Sequence, residues 1–207
     1  MTDPGTELPS TAPPSFTARR LLYVGSGSLG VMFMPMWLHW LRLSYPETEI
    51  RSVITRSATR FVTPTAIAMF SGNPPESDTW GDEAQSSARH VDLAEWPDAI
   101  LVHPASFHFM SRLALGVGDT PTLLALQCTT APIALAPAPP PGAVGSAAWR
   151  VHLAALTARP NIVVVPPKAG VSMTSGKANA STAASLYEVL PALEALRSPG
   201  ASEVMHE

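Results

Sequence analysis

Hydroxyl and glycine residues follow the first two predicted strands. The stretch GSGSLG (25–30) closes the apolar run 21–26 and precedes a predicted helix, and Ser57 follows a second apolar run, 50–55. Backbone N–H groups and serine hydroxyls in such a turn can bind a phosphate at the start of the next helix. The spacing is neither GxGxxG nor that of a P-loop, so a tight turn that only needs glycine is the alternative. Ser57 favours the phosphate interpretation, because its hydroxyl could contact the same anion.

Three histidines could carry other chemistry. His90 precedes a predicted helical turn, a buried strand and the turn Pro104–Ser106. An imidazole can accept a proton near neutral pH, although an isolated histidine is more often a surface or packing residue. His103 and His108 lie on opposite sides of this turn, and no carboxylate or cysteine joins them at ligand spacing. We therefore predict packing and no metal site.

The elements that must position these residues alternate along the chain. Apolar segments predict strands at 21–26, 50–55, 99–104, 131–137 and 161–167, with helical segments between them and a final helix within 182–196. Apolar strands interleaved with helices indicate a parallel sheet covered on both faces. In such α/β sheets, ligands bind beyond the carboxyl ends of the strands.

Composition limits the class of protein. The 207 residues are 46% apolar and 14% charged, with a formal net charge of -3, which argues against a nucleic-acid surface. No apolar run is long enough for a membrane span, and the N-terminus lacks the pattern of a secretory signal. We predict one domain over 19–197 between disordered tails at 1–18 and 198–207. The single cysteine, Cys128, fits a reducing cytoplasm, and we expect it to be inert within a strand.

Taken in order, these segments resemble the homo-oligomeric flavin-containing cysteine decarboxylases. That family includes phosphopantothenoylcysteine decarboxylase and the lantibiotic peptidyl-cysteine decarboxylases. HVDLAEWPDAILVHPAS (90–106) is similar to the family's His-Ile-x-Leu element, its Trp-Ala-Asp and the start of its Pro-Ala-Ser-Ala-Asn-Thr motif. RFVTP (60–64), SGNP (71–74) and LALGVGD (113–119) stand at the expected places, and TSGK (174–177) is similar to the Ser-Gly-Arg of the substrate clamp.

The resemblance implies a Rossmann-like (flavodoxin-like) three-layer α/β/α fold with a mostly parallel sheet, FMN as cofactor and an oligomeric site. The residues it places around the FMN phosphate are Gly25, Ser26, Ser28, Ser57 and Phe61. Those it places along the ribityl chain and isoalloxazine are Pro104, Ala105, Ser106 and Phe107. His90 would be the active-site base, reaching a flavin held partly by a neighbouring subunit of a trimer or of a dodecamer of four trimers.

Two departures from the family concern the substrate. Phe107-His108-Phe109 replaces Ala-Asn-Thr, and a proline-rich segment replaces the Met-Asn motif after the fourth predicted strand. His108 becomes the substitute hydrogen-bond donor to the substrate. The full set of predicted substrate-binding residues is His108, Pro139, Pro140, Ser175, Gly176 and Lys177.

The implied reaction is the FMN-dependent oxidative decarboxylation of the C-terminal cysteine of a ribosomally synthesised precursor peptide. Its product is an aminoenethiol for aminovinyl-cysteine formation in lantibiotic-type biosynthesis. In the coenzyme A branch a clamp cysteine donates a proton to reduce the enethiol, whereas 166–180 contains no cysteine. The alternatives are phosphopantothenoylcysteine decarboxylase in coenzyme A biosynthesis, flavin prenyltransfer on the same fold, and a non-catalytic flavin-binding partner subunit.

Overall fold

The computed structural model describes residues 12–81, 88–171 and 176–198. A six-stranded parallel sheet in the order β3-β2-β1-β4-β5-β6 forms the centre. Its strands are β1 (Arg20–Gly25), β2 (Glu49–Ile54), β3 (Glu76–Ser77), β4 (Ala99–Ser106), β5 (Ile133–Ala138) and β6 (Ile162–Val164). β7 (Lys168–Gly170) and β8 (Ala180–Thr182) form a separate antiparallel hairpin.

Seven helices cover the sheet within the described ranges. They are α1 (Met34–Ser44), α2 (Pro64–Ser71), α3 (Arg89–Glu95), α4 (Phe107–Ala114), α5 (Pro121–Cys128), α6 (Ala147–Thr157) and α7 (Leu186–Arg197). Local sequence starts several of them: Thr63, Thr120 and Ser146 each accept a capping hydrogen bond from a first-turn amide, and a proline follows the first two.

Two hydrophobic clusters, one on each face of the sheet, join the sheet to helices on both sides and so give a three-layer fold. One joins β1 and β4 to α1, α2 and α7, with Tyr23 and Leu101 fully buried. The other joins the opposite face of the same strands to α3, α4, α5 and α6, with Leu22 and Val102 fully buried. Burial on both faces explains why the central strands are mostly apolar. The predicted Rossmann-like α/β/α fold is therefore confirmed.

The order of the strands determines where a ligand site is expected. β1 is the central strand from which the order runs to β2 on one side and to β4 on the other. The loops after β1 and β4 therefore leave neighbouring strands toward opposite faces, and this switch point is where α/β sheets bind ligands.

Several predicted boundaries were wrong. Residues 121–128 form a helix rather than the approach to a strand, and Cys128 is exposed at its end because the helix finishes at the protein surface. β3 and the β7–β8 hairpin were missed, since strands of two or three residues are too short for an alternation pattern. The predicted N-terminal tail extends too far, because Phe16 and Ala18 are buried in the core.

Candidate functional site

Ser26 connects the loop after β1 to the end of β4. Its hydroxyl donates a hydrogen bond to the carbonyl oxygen of Pro104 (2.7 Å) and accepts one from the amide of Ser106 (2.7 Å). Its own amide donates to the same Pro104 oxygen (3.2 Å). Both donors of this buried residue are therefore engaged by β4. Ser26 thus positions the end of β4, and its predicted contact with the phosphate stays a prediction.

The loops after β1 and β2 touch each other. A Cβ added at Gly27 would lie 2.5 Å from the Cβ of Ser57, a distance that only glycine avoids. Gly25 is equally enclosed, because a Cβ there would lie 2.6 Å from the sulfur of Met34. Ser28 and Ser57 each precede a short 3-10 helix without making a side-chain capping bond. Neither hydroxyl is therefore used to cap a helix, and their predicted role toward a phosphate stays a prediction.

A cavity of about 800 Å³ opens beside Ser57. His108, at the start of α4, lines the same cavity, so the structure brings together two predicted site residues that are far apart in sequence. Basic and acidic groups share the wall: Arg56, Arg60 and Arg112 line it together with Asp78 and Asp119. Its volume falls within the ordinary range for a cofactor site, and its arginines suit a phosphate.

The end of β4 forms a buried edge next to this loop cluster. Pro104, Ala105 and Ser106 are buried, and Ser106 caps α4 by accepting a hydrogen bond from the amide of Phe109 (3.3 Å). The half-buried Phe107 ring stacks on Trp149, with ring centroids 6.3 Å apart. Phe61, by contrast, is 42% exposed at the end of its short helix.

A second, apolar cavity of about 430 Å³ is bordered by Pro104. Phe33, Met36 and Trp37 line it, together with residues 182–185 at and after the end of β8. Phe33 and Met36 remain 52% and 64% exposed, so the apolar wall is open to solvent. Pro104 therefore borders a surface suited to an apolar group.

His103 is a packing residue, as predicted. Its Nδ1 accepts a hydrogen bond from the hydroxyl of Tyr23 (3.0 Å), and its Nε2 donates to the carbonyl oxygen of Ala184 (3.0 Å). A carbonyl can only accept, which assigns the proton to Nε2. Burial lowers the pKa of His103 to about 4, so the ring is neutral. No cluster of three or more potential metal ligands occurs within residues 12–81, 88–171 and 176–198.

His90 lies in the first turn of α3 and is half-buried. Its ring contacts Trp80 edge to face, with centroids 5.9 Å apart. Trp80 lines the 800 Å³ cavity, whereas His90 lines a different groove, of about 640 Å³, between α3 and α5. The structure thus does not bring His90 and Ser57 to one cavity within a protomer.

The remaining predicted substrate residues lie at neighbouring loops. Pro139 is buried and Pro140 exposed directly after β5, where Ala138 pairs with Ser106 of β4. Gly176 has the left-handed φ of 67°, and Lys177 follows it before β8. Ser175 lies outside the described residues. Neither cavity is lined by these four described residues.

Only Ser57 and His108 of this cavity wall were assigned to the site from the sequence, and the residues that were missed include Asp78, Trp80, Arg112 and Asp119. The first two follow β3, whose two residues carry no strand pattern. Arg112 and Asp119 form an ion pair across the loop between α4 and α5. Their opposite charges were visible in the sequence, but no periodic spacing relates them, because the intervening loop sets their approach.

The fold and these loops define a class: an α/β protein with a phosphate-type ligand site at the switch point of a parallel sheet. Within that class, the chain belongs to the flavoprotein family, which matches residues 10–193. This confirms the resemblance inferred from the sequence.

Individual proteins that are similar in sequence or structure are cysteine decarboxylases. The chain is 29% identical over 177 residues to the cypemycin cysteine dehydrogenase (decarboxylating) of a Streptomyces species, covering 86% of this chain and 91% of that relative. The crystal structure of the cypemycin decarboxylase CypD superposes with a TM-score of 0.74 at 26% identity, covering 92% of this chain and 99% of that one. The FMN-dependent cysteine decarboxylase TvaF, from thioviridamide biosynthesis, gives 0.61 at 29% identity, covering 70% and 88%.

Other relatives match only in part. The coenzyme A biosynthesis bifunctional protein CoaBC of Haemophilus influenzae is 42% identical over 94 residues, 44% of this chain. This chain spans only about a quarter of the length of several such CoaBC proteins (23–24%). No helix in the described part of the chain is long and apolar enough to cross a membrane.

Proposed function

We propose that this protein catalyses the FMN-dependent oxidative decarboxylation of a C-terminal cysteine in a ribosomally synthesised precursor peptide. The product is the aminoenethiol used to form aminovinyl-cysteine. The observation that carries the proposal is the near end-to-end similarity to the cypemycin enzyme, 91% of whose length is covered. The flavoprotein match and the cavity at the switch point support the same function.

The residues present fit FMN. Ser28 and Ser57 offer hydroxyls to the phosphate, and Arg56 and Arg60 line the adjoining wall. Gly27 allows the loop that contains Ser28 to approach Ser57 closely. Residues 104–107 offer an apolar edge to the ring system. When bound, FMN supplies the two-electron acceptor that this oxidation requires.

His90 is the proposed base. A cysteine thiol, with a pKa of about 8.5, is mostly protonated at neutral pH, and an imidazole side chain can accept its proton. Proton removal from the thiol prepares the side chain for oxidation, after which the carboxylate leaves as carbon dioxide. His108 takes the place of the family's asparagines as donor to the peptide's terminal carboxylate or carbonyl.

We assign the peptide residues that precede the cysteine to the 430 Å³ cavity beside Pro104. The exposed apolar side chains of Phe33 and Met36 in its wall support this assignment. Gly176 and Lys177 lie between β7 and β8, and their clamp role rests on the similarity of TSGK (174–177) to the family's Ser-Gly-Arg.

We also propose that the site is shared between subunits of a trimer or a dodecamer. This proposal is supported by the absence of His90 from the wall of the cavity that contains Ser57. Mixing inactive His90→Asn with a variant that fails to bind FMN should restore activity in hybrid oligomers. No recovery after subunit exchange would contradict a shared site.

The single cysteine is consistent with a cytoplasmic location.

The decisive experiment combines absorbance and mass. Purified protein loaded with FMN should be yellow, and it should bleach under anaerobic conditions on adding a Cys-terminated peptide. The peptide should lose about 46 Da, which is CO2 plus two hydrogens. His90→Asn should stay yellow and fail to bleach. A wild-type protein that binds FMN but bleaches with no Cys-terminated peptide would instead support a non-catalytic flavin-binding partner subunit.

The second candidate is phosphopantothenoylcysteine decarboxylase, favoured by the 42% identity to CoaBC over 94 residues. That reaction ends with a reduced product and a loss of only about 44 Da, because the two hydrogens return to the substrate. Residues 166–180 contain no cysteine to supply the proton for this reduction. Incubation with phosphopantothenoylcysteine and mass analysis distinguish the two reactions.

A further inference from the structure

Trp80 is held rigidly at the wall of the 800 Å³ cavity although 48% of it is exposed. Its indole Nε1 donates a hydrogen bond to the carbonyl oxygen of Asp119 (2.9 Å). An aromatic side chain has only two rotatable bonds, so this bond together with ring packing fixes its orientation. The ring is thus a built part of the cavity wall.

The backbone on either side of Trp80 is also anchored. Asp78, 2% exposed, accepts a hydrogen bond from the amide of Thr122 in the first turn of α5 (3.0 Å). Its own amide donates to the carbonyl oxygen of Ile54 at the end of β2 (2.9 Å). Arg89 donates to the carbonyl oxygen of Thr79 (3.1 Å) and pairs with Glu76. The segment 76–80 and the start of α3 therefore form one connected unit.

His90 immediately follows Arg89 in this unit. Its Nδ1 is enclosed and has no hydrogen-bond partner among the described residues. In most enzymes a histidine base is oriented by a hydrogen bond to its second ring nitrogen. For His90 the edge-to-face contact with Trp80 takes the place of that bond, since the centroids are 5.9 Å apart at 69°.

The geometry points to Trp80 as a positioning residue that fixes the His90 imidazole for proton uptake. The inference rests on the proposed role of His90 as base. Trp80→Leu should free the ring while the Asp78 and Arg89 anchors remain, and Trp80→Phe should keep the ring contact and lose only the indole hydrogen bond. Phe70→Leu is a matched control, because Phe70 makes the same kind of edge contact with His39 at 5.9 Å.

Two measurements on the FMN-loaded full-length protein test this inference. The first is the NMR shift of the His90 ring protons, which the indole ring current displaces without any turnover. In Trp80→Leu this signal should move toward that of a free histidine, in Trp80→Phe it should stay displaced, and in Phe70→Leu only His39 should respond. An unchanged His90 signal in Trp80→Leu would overturn the inference.

The second measurement is the anaerobic bleaching rate with a Cys-terminated peptide. Measured at saturating FMN, Trp80→Leu should lower the rate at saturating peptide about tenfold or more, with the half-saturating peptide concentration unchanged, because a misoriented base costs rate rather than peptide binding. Unchanged bleaching at saturation, or a loss that merely follows FMN loss, would overturn the inference. If the wild type itself does not bleach, the proposed function fails, and the NMR measurement still decides whether Trp80 orients His90.

Discussion

The hydroxyl of Ser26 donates a hydrogen bond to the carbonyl oxygen of Pro104 at 2.7 Å, although the two residues are 78 positions apart. The same oxygen of Ser26 accepts from the amide of Ser106, so one side chain fixes the end of β4 against the loop after β1. One serine therefore joins the two loops that border the candidate site.

Replacing this serine should destabilise the fold. Ser26→Ala leaves the buried Ser106 amide without its partner, whereas the Pro104 carbonyl keeps only the bond from the Ser26 amide, and the free energy of unfolding should fall by about 1–3 kcal/mol. Urea denaturation measures the change. Ser28→Ala is the control, because the Ser28 side chain makes no capping bond, and it should weaken FMN binding at unchanged stability. Equal stability of the two variants would contradict the distinct roles.

The contact between Gly27 and Ser57 predicts a second effect. Gly27→Ala places a methyl group 2.5 Å from the Ser57 Cβ, and separating the loops should cost about 1–3 kcal/mol of stability. Adding Ser57→Gly should recover part of this loss, because it removes the atoms that clash. Gly145→Ala, with no heavy atom within 4 Å of the new Cβ, should be nearly neutral. Thermal unfolding of the wild type, Gly27→Ala, the double variant and Gly145→Ala measures these changes. A double variant as unstable as Gly27→Ala would refute the contact between Gly27 and Ser57.

His103 predicts a pH dependence of stability. Its folded-state pKa of about 4 lies below the ordinary 6.5, so the unfolded chain takes up the proton first as the pH falls. The stability from the neutral ring is complete above pH 6.5 and is lost as the pH falls toward 4, by about 3 kcal/mol. In His103→Gln this part of the pH slope should vanish, whereas the exposed His39→Gln should retain it. Urea denaturation at several pH values gives the slopes, and equal slopes in the wild type and His103→Gln would refute the assignment.

The apolar cavity beside Pro104 predicts a substitution that weakens peptide binding and leaves FMN binding unchanged. Met36→Glu puts a charge on its wall and should raise the half-saturating peptide concentration about tenfold or more, because the apolar contact is worth about 1.5–3 kcal/mol. FMN absorbance should be unchanged. Leu43→Glu is the matched control, since Leu43 is 71% exposed on the same helix and does not line the cavity. Equal peptide kinetics in both variants would mean that the peptide binds elsewhere.

Local pattern explains which parts of the fold were predictable. Five of the six sheet strands were predicted from mostly apolar segments, because strands buried on both faces need mainly apolar side chains. β3 has two residues, and its place in the sheet follows from pairing with Val53 and Ile54 rather than from its own pattern. Residues 121–128 are as apolar as a strand, but Thr120 and Pro121 start a helix there.

The sequence by itself determined the layers of the fold, the flavoprotein family and the order of the loops after β1, β2 and β4, because apolar periodicity and short motifs are local properties of the chain. Only the tertiary structure decided that the Ser26 side chain is hydrogen-bonded to the end of β4. It also decided that His108 and Ser57 line one cavity and that Trp80 contacts His90. These relationships join residues on different elements, and no spacing along the chain records how closely the sheet brings them together.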